Sequence, residues 1–318
     1  MKSNKGLIFC LLITVVASAL ACSRKVNIAG TYNTRATADS GADIKVSAGR
    51  ILRFHFNSDL VDDRNIDVWL PDGYNASEKY NVVYMHDGQM LFDSSSTWNK
   101  QEWKVDETMN RLLQEGKLKQ TIVVGIANNG DKRHAEYFPE KAIAAIPEPQ
   151  RTTLLALIPH GPKADDYLKF MVTELKPFID KEFSTYTDAQ HTFVAGSSMG
   201  GLISLYAISE YPQVFSGAAC LSTHWIGTFE PNNNIPQALL QYLKDHLPSS
   251  ATHKLYFDHG TAALDATYGV HQVQVDSLLK AKGYTAANWT TLVFEGAEHS
   301  EKAWAVRLDK PLLFLLQK

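Results

Sequence analysis

Gly196-Ser197-Ser198-Met199-Gly200-Gly201 fits the pattern G-x-S-x-G. The strand-like HTFVA (191–195) precedes it and the helical LISLYAISE (202–210) follows. A serine in a tight strand-to-helix turn is lifted clear of a sheet and exposed to attack a carbonyl carbon. Glycines two residues to either side let the turn close without a clash, which is the reading given to Gly196 and Gly200. The helix that follows aims its first amides at the site and favours developing negative charge. The chemistry implied is nucleophilic acyl transfer through Ser198.

Serine at neutral pH needs a base, normally a histidine oriented by a carboxylate. In this strand-serine-helix context the acid and then the histidine follow the serine along the chain. The histidines after Ser198 are His224, His246, His253, His259, His271 and His299. His299 alone lies past the last strand-like run (TTLVF) and just before the terminal helix, in a loop able to return to the serine. His271 falls on a helical face, and His253 and His259 flank a strand. The acid should follow the strand 254–257, and both Asp258 and Asp265 qualify. An oxyanion hole is also required. One donor is expected from the amide of Met199. The other should come from the loop His86-Asp87-Gly88-Gln89, through the amide of Gly88 or Gln89. His86 and Asp87 themselves read as loop structure rather than as metal ligands.

These residues need a frame. Strand-like runs at 51–56, 66–70, 81–85, 121–127, 191–195, 216–221, 254–257 and 290–294 alternate with amphipathic stretches at 105–113, 165–183, 202–209, 270–281 and 302–316. That alternation predicts an α/β fold with a mainly parallel sheet, opened by an antiparallel hairpin across Asp62-Asp63-Arg64. Residues 128–163 and 222–250 read as long irregular loops, and such loops commonly bind ligands. Tyr137, Phe138, His224 and Trp225 lie on them and are candidates to contact substrate by stacking on a sugar or aromatic acyl group, the alternative being that they pack the loops down.

Composition narrows the function further. The chain has 318 residues, with 31 Lys and Arg against 34 Asp and Glu, a net charge of −3. No polybasic run appears, so no nucleic-acid partner is expected. HExxH, P-loop and paired-glycine dinucleotide patterns are absent from the sequence, so no metal or cofactor is expected. Three cysteines cannot form a disulfide framework, and Cys220, in the run AACL, reads as a small buried hydrophobe.

Residues 1–21 read as an export signal: Lys2 and Lys5, a 14-residue apolar run from Leu7 to Leu20, then Ala19-Leu20-Ala21. The run is shorter than the roughly 20 residues a membrane span needs. Cys22 follows, and the stretch resembles a bacterial lipoprotein signal, although Ala19 stands where that signal usually has leucine. An exported location, periplasmic or at the cell surface, is expected, with membrane contact only through a lipid at Cys22. Residues 22–40 read as a tether and 41–318 as a single catalytic domain.

The segments VVYMHDGQ (82–89), VVGIAN (123–128), Arg133 with Glu136-Tyr137, GSSMGG (196–201), DHGTAALDATY (258–268) and GAEHSEKAW (296–304) resemble the putative esterase family, the esterase D-like branch of the α/β hydrolases. That family includes siderophore esterases, feruloyl esterases, S-formylglutathione hydrolases and mycolyltransferases. The resemblance implies an α/β-hydrolase fold, with a mostly parallel sheet and helices on both faces. It further implies Ser198 as nucleophile and His299 as base, and its Gly-Thr pair points to Asp265 as the acid, although Asp265 follows Thr261 at a wider spacing than usual. The activity implied is that of a serine esterase on a siderophore lactone or a carbohydrate-linked acyl ester. The alternatives are an acyltransferase of the mycolyltransferase type and a non-catalytic binding domain on the same scaffold.

Overall fold

The computed structural model of the protein describes residues 35–39, 44–158 and 160–318. The expected export signal, Cys22 and the tether up to residue 34 lie outside the described residues. Among the described residues, nine strands form one sheet in the order β1-β2-β3-β5-β4-β6-β7-β8-β9. They are β1 (Ala36–Ala38), β2 (Arg50–Phe56), β3 (Arg64–Leu70), β4 (Asn81–His86), β5 (Thr121–Ile126), β6 (Thr192–Ser197), β7 (Gly217–Leu221), β8 (Lys254–Gly260) and β9 (Trp289–Phe294). The pairs β1–β2, β2–β3 and β3–β5 are antiparallel and the remaining pairs are parallel. The hairpin read around Asp62-Asp63-Arg64 is β2–β3, in register from Arg50 opposite Leu70 to Phe56 opposite Arg64. Residues 36–38, read as tether from their polar composition, instead form the edge strand: Ala36 is buried and backbone pairing to β2 overrides composition.

The central strands are near-continuous apolar runs because both of their faces are covered. Successive side chains alternate across the sheet. Val82 and Tyr84 of β4 enter one core cluster and Val83 and Met85 the other; Ala218 and Cys220 of β7 divide in the same way from Ala219 and Leu221. Cys220 is fully buried.

The ten α-helices among the described residues fall on the two faces. α1 (Val105–Gln114), α9 (Glu301–Arg307) and α10 (Asp309–Leu316) pack into one core cluster. α2 (Arg133–Tyr137), α3 (Gln150–Ala156), α4 (Ala164–Phe170), α5 (Lys176–Glu182), α6 (Met199–Glu210), α7 (Asn234–His246) and α8 (Gly269–Ala281) pack into the other. Three readings need correction. The segment 222–250 contains α7, whose Pro236 sits in the first turn, where a missing N–H costs nothing. The segment 128–163 contains α2 and α3. The stretch 302–316 is two helices that meet at Leu308, not one.

One buried ion pair fastens α2 to the sheet. Arg64 of β3 makes a two-pronged bond to Glu136, Nη1 to Oε2 at 2.9 Å and Nη2 to Oε1 at 2.7 Å, with both side chains buried. Removing one partner of such a pair strands the other charge, at about 3–5 kcal/mol. Glu136→Ala should therefore lower the unfolding free energy by that amount in urea titration; a loss under about 1 kcal/mol would show that Arg64 finds other solvation.

Candidate active site

β6 ends at Ser197 and α6 begins at Met199, so Ser198 is the whole turn. Its backbone stands at φ 57°, ψ −122°, a region L-residues avoid. The Ser198 amide donates to Leu221 O at 2.9 Å, and Ser198 O accepts from the amides of Gly201, Leu202 and His224. A side chain at Gly196 would place its Cβ 2.6 Å from Gly200 O, so the strand passes the helix at a distance only glycine permits. Met199 opens α6, and its amide is among the first four of the helix, which have no intrahelical acceptor.

Facing this turn, Asp87 at the end of β4 adopts φ 57° and leads into a short 3₁₀ turn, Gly88–Met90. Gly88 is required for a reason the sequence did not reveal: its Cβ would lie 2.6 Å from the backbone of Gly125 and Ile126 in β5. Asp87 receives Arg133 Nε on Oδ1 at 2.6 Å and Nη2 on Oδ2 at 2.8 Å, with Asn128 Nδ2 also on Oδ1 at 2.7 Å. Burial alone would raise the Asp87 carboxyl, but Arg133 and Asn128 hold it below the usual range. His86 is buried and its pKa falls to about 3, so it is neutral at pH 7; its Nδ1 pairs with Tyr167 Oη at 2.8 Å.

His299 stands in the loop between β9 and α9, where Ser300 caps the helix by accepting from the Ala303 amide. Its Nδ1 lies 2.5 Å from Asp265 Oδ1. Asp265 Oδ2 accepts from Ser222 Oγ and from the Gly260 amide, both at 2.6 Å. Burial would raise this carboxyl, yet the bonds from His299, Ser222 and Gly260 bring it below its ordinary value. The other acidic candidate is committed elsewhere. Asp258 lies inside β8, which runs on to Gly260, and it accepts from Arg307 Nη2 at 3.0 Å and Tyr256 Oη at 2.9 Å. Of the six histidines after Ser198, His299 is the one paired with a carboxylate among the described residues.

A cavity of about 590 Å³ opens at this point. Ser198 and His299 line it together with Asp87, Gln89, Asn128 and Arg133 and with Trp98, Asn99, Gln101, Trp103, Glu301 and Trp304. The loop residues that are candidates to touch substrate do not line it. Tyr137 and Phe138 are fully buried, and Tyr137 Oη accepts the Asp87 amide at 3.2 Å, supporting the loop from beneath. Trp225 is buried and donates to Gln272 Oε1 at 3.1 Å. His224 is buried with Nδ1 on Tyr268 Oη at 2.7 Å, and burial lowers its pKa to about 3. These four side chains are packed into the fold and none lines the cavity. Sequence reading missed the wall at 98–103. Two tryptophans in the polar segment TWNKQEW are the signal that could have marked it, since Trp98 is 83% exposed.

The profile of the family described as putative esterase matches residues 58–315. Bacillus subtilis YjcH, an uncharacterized protein, is 26% identical over 161 residues, 50% of this chain and 55% of that protein. An endo-1,4-beta-xylanase/feruloyl esterase of Xylanibacter ruminicola is 27% identical over 274 residues, 83% of this chain and 31% of the relative. The chain thus spans about half of the first relative and about a third of the second. Among solved structures, the enterobactin esterase FES from Shigella flexneri shares the fold with TM-score 0.62 at 16% identity, over 86% of this chain and 60% of that one. With most of its length matched, the chain belongs to the putative esterase family.

Proposed function

We propose that Ser198, His299 and Asp265 act as nucleophile, base and orienting acid in hydrolysis of a carbohydrate-linked acyl ester. The observation that carries this reading is the 2.5 Å bond between His299 Nδ1 and Asp265 Oδ1, beside a cavity that Ser198 also lines. Asp265, held ionised, keeps the proton on Nδ1 and leaves Nε2 as the acceptor. Ser198 Oγ attacks the ester carbonyl and its proton passes to His299 Nε2. The tetrahedral oxyanion is received by the amide of Met199 and that of Gly88 or Gln89, at the positive end of α6. His299 then protonates the departing alcohol. Water, deprotonated by the same nitrogen, releases the acid and restores Ser198.

The cavity lining supports a sugar-bearing substrate over a purely apolar one. The exposed Trp98 ring offers a flat stacking face, while Gln89, Asn99, Gln101 and Asn128 bring amide groups that suit hydroxyls. The feruloyl esterase relative agrees with this choice. The enterobactin esterase keeps the siderophore lactone as the second reading, favoured by Arg133 in the wall, whose cationic face would suit an acidic aromatic acyl group.

Ser198→Ala should abolish turnover of p-nitrophenyl acetate, by about a million-fold in kcat. Asp265→Asn should lower the rate about ten-thousand-fold by allowing the wrong tautomer, whereas Asp258→Asn should cost stability instead. Near-normal rates in folded Asp265→Asn would remove the acid from this scheme.

Export through residues 1–21, with lipid attached at Cys22, belongs to the same proposal. Cells fed a fatty-acid probe should label the protein, and Cys22→Ser should lose the label; an unlabelled wild type would mean plain cleavage.

Two tryptophans separate binding from packing. Trp98→Ala removes an exposed ring, so stability should change by less than about 0.5 kcal/mol. KM for feruloylated oligosaccharides should rise about two- to tenfold, corresponding to about 0.5–1.5 kcal/mol of stacking. Trp225→Ala removes a buried ring and should cost about 3–5 kcal/mol of stability, lowering activity on every ester alike. A selective substrate effect in Trp225→Ala would return that residue to the binding surface.

A further inference from the structure

Ser222 follows the last residue of β7 and is fully buried. Its backbone stands at φ 42°, where glycine would meet no penalty and a side chain does. The chain nevertheless keeps a hydroxyl there, and three groups converge on it. Trp304 Nε1 donates to Ser222 Oγ at 2.9 Å and Arg307 Nη2 donates at 2.8 Å. Asp265 Oδ2 lies 2.6 Å away on the accepting side. A hydroxyl has one proton and two lone pairs. With both lone pairs occupied by N–H donors, the proton has one direction left, toward Asp265.

We infer that Ser222 is a positioning residue of this site, its hydroxyl locked as a donor that fixes the Asp265 carboxylate and through it the orientation of His299. The inference rests on the esterase reading above and assigns a role outside the Ser-Asp-His set. The Gly260 amide is the second donor to Asp265 Oδ2, so Ser222 supplies one of the two bonds that leave Oδ1 free for His299. The locking donors sit on α9, the helix that follows the His299 loop. Trp304 also packs edge-to-face on the His299 ring, with centroids 5.0 Å apart at 83°. The same indole therefore touches the base with its ring and the acid's support with its N–H.

The test is Ser222→Gly, which removes the hydroxyl while suiting φ 42°, with Ser222→Ala as its companion. On p-nitrophenyl acetate, kcat should fall about ten- to a hundredfold, the range for losing a partner that orients an active group, with KM within about twofold. In the Asp265→Asn background the same change should cost almost nothing, since residues acting through one another are not additive. The His299 Nδ1–H proton, deshielded by its short bond, should move upfield in the Ser222→Gly NMR spectrum. A folded variant with wild-type kcat, or an equal loss with and without Asp265, overturns the assignment. If the wild-type chain hydrolyses no ester, the esterase reading falls and the resonance decides alone: movement supports the positioning role and an unmoved signal refutes it.

Discussion

Asp265 is fully buried, and a carboxylate taken out of water keeps its charge only where hydrogen bonds replace the water. Here the replacement is drawn from three separate parts of the chain. Gly260 ends β8, Ser222 follows β7, and His299 precedes α9. Each donor is placed by the parallel register of β7, β8 and β9, in which Leu221 lies beside Asp258 and Gly260 beside Phe294. A slip of one residue would turn side chains to the opposite face and break the set. The sheet is therefore the ruler for the acid, and the acid is the ruler for the histidine.

The second carboxylate, Asp258, explains why this region tolerates so much buried charge. Burial pushes Asp258 up, and Arg307 and Tyr256 work against that shift. Arg307 lies 3.0 Å from Asp258 and 3.7 Å from Asp265, with its guanidinium over the Phe294 ring. Two carboxylates thus share one permanent cation. In the mechanism proposed above, His299 would take the serine proton beside this cluster and add a second positive charge to it.

The parts legible in the sequence are those with a local pattern. The elbow shows in GSSMGG because strand, glycines and helix are contiguous, and the central strands show in their Val and Ile runs. The hairpin β2–β3 shows because alternation and a polar turn lie side by side. Asp265 is less legible: residue type alone does not distinguish it from Asp258, and their different surroundings depend on Arg307, some fifty residues on from Asp258, which lies 3.0 Å from Asp258. The helix α7 was hidden by Asn232-Asn233-Asn234 and Pro236, signals of a loop that are also permitted at a helix start. The burial of the loop aromatics is hard to read for the opposite reason. Tyr137, Phe138 and Trp225 occupy polar, proline-bearing segments, but such segments can fold inward when they carry enough apolar area to bury.

What determines the shape of the cavity is less regular than what holds the reacting groups. The wall bearing Trp98 has no strand or helix of its own. It is tied instead to α9, by Asn99 Nδ2 on Glu301 Oε2 at 2.8 Å and by the Lys302 amide on Gln101 Oε1 at 3.2 Å. α9 also carries Trp304 against His299 and Arg307 against the acid network. The wall bearing Arg133 is tied in the same manner, with Arg133 of α2 fixed on Asp87 and α2 fixed on β3 through Glu136. Each wall thus shares a rigid support with the residues it serves. In the mechanism proposed above, a substrate contact at Trp98 would bear on the same helix that steadies His299, so contacts distant from the ester would reach the geometry of proton transfer.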